Sequence, residues 1–183
     1  MKIKEIIEGG RPSLSFEVFP PKTSDNFESV MSAAGAIAAL KPSYMSVTYG
    51  AGGGTSAFTA DIASRLLSLG VTPLAHLSCI SSTHSTIRER LLDLKSRGIE
   101  NILALRGDIP KDFDMTKLEY HYASELADEI REFGGFCVGG ACYPESHPDS
   151  LNSAADIEAL RIKVEAGCEF LTTQMFFDNN ILY

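Results

Sequence analysis

The sequence predicts an α/β protein built on a curled parallel sheet, a (β/α)8 TIM barrel of which the chain supplies about six β-α units. Three observations carry the prediction. Short apolar runs of strand type begin near residues 14, 44, 72, 101, 136 and 169, a spacing of about 30 residues that suits a β-α unit. Each run except the last is followed by a stretch whose apolar residues recur at helical spacing, and parallel strands need such a crossover. Polar residues gather at the C-terminal ends of the runs, namely Glu17, Thr48, His76, Asp108, Tyr143 and Gln174. Barrels of this class build their active sites at that face. A doubly wound open sheet is the alternative, weakened by the lack of a G-x-G-x-x-G loop after the first strand.

In chain order, residues 1–9 fit a short amphipathic helix with Ile3, Ile6 and Ile7 on one side, ending at Gly9 and Gly10. Residues 14–19 form the first strand, stopped by Pro20 and Pro21. Side chains alternate along a strand, so Glu17 shares a face with Ser15 and Phe19, while Phe16 and Val18 face the other way. A carboxylate among aromatic and aliphatic neighbours is costly unless paired or functional, which marks Glu17 for attention. Asp25 and Glu28 read as a capping box for a helix reaching Leu40. Its apolar positions are Phe27, Val30, Met31, Ala34, Ile37 and Ala38.

Residues 44–48 make the second strand, and residues 49–55 a glycine-rich loop without the spacing of either nucleotide fingerprint. A helix over about 57–69 ends at Gly70, and residues 72–78 give a third strand with His76 near its end. Ile87, Leu91 and Leu94 mark the next helix. The fourth strand, 101–105, halts at Arg106-Gly-Asp108, where Gly107 relieves the backbone as the chain turns outward beside two opposite charges. A polar loop over 111–117 and a helix over 123–133 follow. The fifth strand, 136–142, tolerates glycines, which implies that something approaches its backbone closely. It runs into Tyr143-Pro-Glu-Ser-His-Pro148, a stiff loop presenting an aromatic ring, a carboxylate and an imidazole. Ser153 with Asp156 opens a helix reaching Ala166, and residues 169–174 form the sixth strand.

Composition narrows the function. With 183 residues and 44% hydrophobic content, one domain with a substantial core is expected over 1–183. The balance of 16 basic against 24 acidic residues, net −8, argues against a nucleic-acid or membrane-surface binder. It leaves room for a small anionic ligand held by a local Arg or Lys. No apolar run approaches a membrane span, and the N-terminus lacks the apolar core of a signal peptide. The four cysteines show no C-x-x-C spacing and read as reduced core thiols of a cytoplasmic protein. His76 and His147 suggest no third ligand for a metal, and neither a Schiff-base Lys nor a metal set of the aldolase type stands at the strand ends.

Six stretches taken together resemble the methylenetetrahydrofolate reductase family, a flavin-dependent (β/α)8 barrel. They are Ser15-Phe-Glu-Val-Phe-Pro-Pro21, Ser46-Val-Thr-Tyr-Gly50, His76-Leu-Ser-Cys79, Ala104-Leu-Arg-Gly-Asp108, Tyr143-Pro-Glu-Ser-His-Pro148 and Thr173-Gln-Met-Phe-Phe-Asp178, in the family's order and across nearly the whole chain. The resemblance implies a cytoplasmic homo-oligomer of one-carbon metabolism and methionine biosynthesis. In it NADH or NADPH reduces bound FAD, which then passes hydride to methylenetetrahydrofolate in ping-pong turnover. By the same resemblance Glu17 is the general acid that protonates the folate as its five-membered ring opens. An apolar site would raise its pKa in the needed direction. Asp108 lies beside the flavin ring and lowers its potential. Gln174 binds nicotinamide and folate in turn, since its amide both donates and accepts.

The FAD contacts carried over are Thr48, His76, Arg106, Gly107, Asp108, Tyr143, His147, Asp156 and Lys163. Two positions depart from the pattern: Ala159 stands where a polar flavin contact often lies, and Ile162 fills a basic slot, with Arg161 adjacent. Length departs as well, because an eight-stranded barrel usually takes about 250 residues. The expectation is therefore a chain truncated after strand six. The alternatives are a split-barrel or non-catalytic flavin- and folate-binding subunit completed by a second chain, or a shortened homologue without activity.

Overall fold

A computed structural model describes residues 1–21, 23–49, 56–109 and 113–183. Six parallel strands form one sheet in sequential order: β1 (Ser15–Val18), β2 (Tyr44–Val47), β3 (Pro73–Ser78), β4 (Asn101–Leu105), β5 (Cys137–Cys142) and β6 (Phe170–Thr173). Helix α1 (Ile3–Glu8) precedes the sheet. The crossovers are α2 (Phe27–Ala38), α3 (Ser56–Ser68), α4 (His84–Ser96), α5 (Ala123–Phe133) and α6 (Ser153–Glu165). Neighbours in sequence are neighbours in the sheet throughout, so the chain winds in one direction, as the six expected units require. Ser15 and Glu17 of β1 line the same cavity as Thr172 of β6. The sheet is thus curled far enough for its first and last strands to face one space, as an arc of a (β/α)8 barrel does.

Period-two alternation separates the core into two layers. Outward-facing Val18, Met45, Val47, Ala75, Leu77, Ile102, Ala104 and Val138 pack under the crossover helices. There they meet Ala34 and Ala38 of α2, Ile62 and Leu66 of α3, Ile87 and Leu91 of α4, and Leu126 and Ile130 of α5. Inward-facing Leu74, Leu103, Cys137 and Phe170 form a smaller cluster closed from below by Ile3 of α1. That helix is tied to the sheet by Asn101, whose Oδ1 accepts from the Ile3 amide at 2.8 Å and whose Nδ2 donates to the carbonyls of Met1 and Pro73 at 3.1 and 3.2 Å. Helix α1 is therefore the floor of the arc. Ile6 joins the cluster, while Ile7, expected on the same side, is 47% exposed.

The glycines of β5 have a physical reason. A Cβ at Gly139 would lie 2.3 Å from the Phe170 ring, and one at Gly140 would lie 2.7 Å from Cδ of Lys163. The close approach anticipated for this strand is thus made on one face by an aromatic plug and on the other by a lysine stem. Two caps differ from expectation. The Asp25–Glu28 box is replaced by a 3-10 turn, Ser24–Asn26, and Asn26 makes no side-chain cap. At α6 the capping side chain is Asn152, which accepts from the Ala155 amide at 2.9 Å, one residue before Ser153. Both shifts are local: any Asp, Asn or Ser just ahead of a helix competes for the same orphan amides. Glycine-rich residues 50–55 and part of the 111–117 loop lie outside the described residues.

Candidate active site

Strand alternation puts Glu17 on the concave face, and the parallel register sets Ser46 opposite it. The Ser46 hydroxyl donates to Glu17 Oε2 at 3.2 Å. His76, on the same face of β3, stands with Nε2 3.6 Å from that oxygen. These groups share a cavity of about 180 Å³ with Ser15, Thr172 and Leu103. That is below the roughly 300–1,000 Å³ of a typical ligand pocket, so it admits the reacting end of a substrate rather than a whole dinucleotide. The lining around Glu17 is mixed rather than apolar as expected: two serines and a threonine surround it above Leu74 and Leu103, and its side chain is 44% exposed.

The distance between Glu17 and His76 would suit an ion pair, but the imidazole is not a cation near neutral pH. Burial pushes its pKa down to about 4. Glu17 therefore faces a hydroxyl and a neutral ring rather than a positive charge. Among the described residues, no group of three or more His, Cys, Asp or Glu is arranged to hold a metal ion.

The second group of site residues lies where β4 and β5 end. Gly107 has φ +86°, and a Cβ there would meet Ser78 Oγ at 2.1 Å, so the turn requires glycine. The Ser78 hydroxyl in turn donates to the Arg106 carbonyl at 2.9 Å. The Arg106 guanidinium reaches across to Asp149 Oδ2 at 2.8 Å, in the loop after β5, rather than to Asp108 beside it. That hydrogen bond, and then the guanidinium charge, hold the Asp149 carboxyl below the usual carboxylate range. Tyr143 and His147 form an edge-to-face pair with ring centres 4.7 Å apart, and His147 Nδ1 accepts from the Asp149 amide at 3.1 Å. One loop thus gathers Tyr143, His147 and Asp149 against Arg106. Asp108 is exposed beside it.

The third group is behind β5. Lys163 of α6 donates to the Ala141 carbonyl at 2.5 Å, and burial lowers its pKa. Asp156, buried in the first turn of α6, is close enough to favour the charged lysine. Thr48 is half-buried at the end of β2, its carbonyl accepting from Thr59 at 2.9 Å. Gln174 follows β6 with its amide N–H on the Cys142 carbonyl at 2.7 Å and its side chain exposed. Ala159 and Ile162 are exposed on α6, and the adjacent Arg161 is committed to Glu158 and Glu165. Eight of the eleven residues expected at the site therefore fall into three clusters, with Thr48, Asp108 and Gln174 outside them. Glu17 and His76 meet directly; Arg106, Gly107, Tyr143 and His147 share one loop junction; Asp156 and Lys163 share the α6–β5 seam.

Sequence reasoning missed Ser46 and Asp149. Ser46 had a readable signal, being a buried-strand polar residue two positions before Thr48 on the face that Glu17 uses. Asp149 had none, because its partner is 43 residues away.

Comparison with known proteins follows the same lines. The family model described as methylenetetrahydrofolate reductase matches residues 2–183. The 5,10-methylenetetrahydrofolate reductase of Pectobacterium carotovorum subsp. carotovorum is 38% identical over 170 residues, covering 92% of this chain and 56% of that protein. Methylenetetrahydrofolate reductase (NADH) 1 of Arabidopsis thaliana is 36% identical over 197 residues, covering 98% of this chain and 33% of that protein. The chain thus spans about half or less of the length of these curated relatives. Among solved structures, an uncharacterized protein from Clostridium thermocellum that binds two copies of 5-methyl-5,6,7,8-tetrahydrofolic acid superposes with a TM-score of 0.67 at 12% identity, covering 100% of this chain and 61% of that one. At that identity the likeness speaks for the fold alone.

Proposed function

The chain belongs to the methylenetetrahydrofolate reductase family, and from that premise we propose that residues 1–183 are the flavin-binding barrel portion of an enzyme reducing 5,10-methylenetetrahydrofolate to 5-methyltetrahydrofolate with NADH or NADPH. The observation that carries this reading is Glu17, a carboxyl group set on the concave face of the arc, held by Ser46, with no Lys or Arg among the described residues that line its cavity. A carboxyl group on the concave face of the arc is placed to reach a substrate held in the cavity, as a general acid must be.

The residues present suit FAD. A dinucleotide brings a pyrophosphate, and the Arg106 guanidinium already grips a carboxylate at the mouth of the fold, in a protein of net charge −8. Lys163 adds positive charge behind β5, while Tyr143 and His147 offer rings at the same mouth, and Thr48, His76, Gly107 and Asp156 complete the proposed contact set. When bound, FAD supplies the hydride carrier between nicotinamide and folate. Asp108, exposed at the end of β4, places a negative charge that disfavours further charge on the ring and so favours donation. Gln174, with an exposed amide after β6, serves nicotinamide and folate in turn. One shared place for two substrates gives ping-pong turnover.

The half-reactions separate the roles. In the flavoprotein carrying this chain, Glu17→Gln lowers the rate of folate reduction by about 10²–10⁴, the usual worth of a positioned acid. Reduction of the flavin by NADH or NADPH falls far less. Anaerobic stopped-flow measurement of both steps checks this. Equal loss of the two removes the acid role, and a wild-type protein that binds no FAD removes the reading altogether.

A further inference from the structure

The two oxygens of Glu17 are not equivalent. Ser46 Oγ and His76 Nε2 both approach Oε2, at 3.2 and 3.6 Å, and the hydrogen bond and close ionic approach seen at Glu17 among the described residues are both to that oxygen, not to Oε1. At 3.6 Å the imidazole is beyond hydrogen-bond reach, so Ser46 supplies the direct contact. Ser46 is only 8% exposed, and the parallel register holds its backbone opposite Glu17, so its hydroxyl has little freedom to turn elsewhere. From this geometry we infer that Ser46 is a positioning residue for the acid step: it fixes Oε2 by hydrogen bonding, and so leaves Oε1 as the oxygen that carries and delivers the proton. The inference rests on the acid role proposed for Glu17.

The step balances within these groups. The Oε1–H bond breaks as the proton moves to the leaving ring nitrogen of the folate. The electron pair of the breaking C–N bond stays on that nitrogen and takes the proton, and the electron pair of the O–H bond stays on Glu17. Negative charge therefore develops on the carboxylate during the step, and the Ser46 O–H is already aimed at the oxygen that shares it. A donor that strengthens its bond as charge develops lowers the barrier more than it stabilises the resting acid. The titratable groups facing Glu17 across the cavity are His76 from β3 and Tyr44 from β2. The first is neutral down to about pH 4 and so neither strips the proton from Glu17 nor repels it.

The test compares Ser46→Ala, Ser46→Thr and wild type in the complete flavoprotein. Ser46→Ala lowers the folate half-reaction about 10-fold more than the nicotinamide half-reaction, the scale of one hydrogen bond to a charged group. The loss falls in kcat rather than KM, and the alkaline limb of the pH profile, where the acid loses its proton, moves upward because the charged form loses its donor. Ser46→Thr, which keeps the hydroxyl, restores most of the rate. A second readout needs no turnover: a ¹³C NMR titration of the Glu17 carboxyl, assigned with Glu17→Gln, moves upward in Ser46→Ala. An unmoved carboxyl titration, or Thr no better than Ala, overturns the positioning role. A wild-type enzyme that reduces its flavin but not methylenetetrahydrofolate instead overturns the function, and the carboxyl titration still decides whether Ser46 governs Glu17.

Discussion

At the scale of single residues, His76 shows how far burial outweighs identity. Its ring is 8% exposed and its pKa is pushed down to about 4 from an ordinary 6.5. Between those values the unfolded chain binds a proton that the folded one refuses. Stability is therefore full above about pH 6.5 and declines as the pH falls toward 4, by at most about 1.4 kcal/mol per pH unit from this one group. Chemical denaturation of wild type and His76→Gln across pH 4–7 checks it: the variant has a flatter profile over that window. An unchanged slope means that His76 is charged in the fold. The sequence marked Glu17 and His76 separately, through strand alternation and position, but their meeting over one oxygen depends on the curl and register of three strands.

At the scale of elements, one side chain makes three hydrogen bonds under helix α1, beside the Lys4–Glu169 ion pair and the packing of Ile3. Asn101 satisfies the Ile3 amide and the carbonyls of Met1 and Pro73 from a position 1% exposed. Asn101→Ala leaves buried polar groups without partners and loosens the floor under Leu74, Leu103 and Phe170, at a cost of about 2–3 kcal/mol. The shift in denaturant midpoint measures it, and faster hydrogen exchange at the Ile3 amide localises it. A loss below 0.5 kcal/mol, on the order of an ordinary surface change, means that α1 seats without this residue. The six strands and the main crossover helices were legible from period-two and period-3.6 patterns. The function of α1 as a floor was not, because nothing in residues 1–9 states what their apolar side will meet. Nor did the caps of α2 and α6 resolve, since Asp25, Asn26, Asn152 and Ser153 are chemically near-equivalent candidates.

For the whole molecule, the curled sheet divides chemistry between a buried outer layer and a polar concave face. Of the four cysteines, Cys79, Cys137 and Cys168 are buried, and burial raises the thiols of Cys79 to about 12 and of Cys168 to about 11. Core thiols of this kind stay protonated and inert. Titration with a thiol reagent at pH 8 gives slow reaction of these groups in the native protein and rapid reaction of all four in denaturant. Prompt labelling of Cys79 without unfolding contradicts the packing described. Central strands β3 and β4 are buried almost throughout, whereas β1 and β6 at the two edges of the arc are largely exposed. Phe19, Met175 and Phe177 beyond their ends are exposed as well.

The sequence by itself determined the repeated β-α plan, the strand faces and the family's ordered strand-end motifs, because these depend on periodicity and on neighbours within a few positions. Tertiary structure alone decided that Ser46 binds Glu17, that Asp149 rather than Asp108 takes Arg106, and that Phe170 and Lys163 fill the space left by two glycines. Each of these pairs joins positions 23 to 43 residues apart. Only the curvature of the sheet brings such groups within the few ångströms over which hydrogen bonds and packing act.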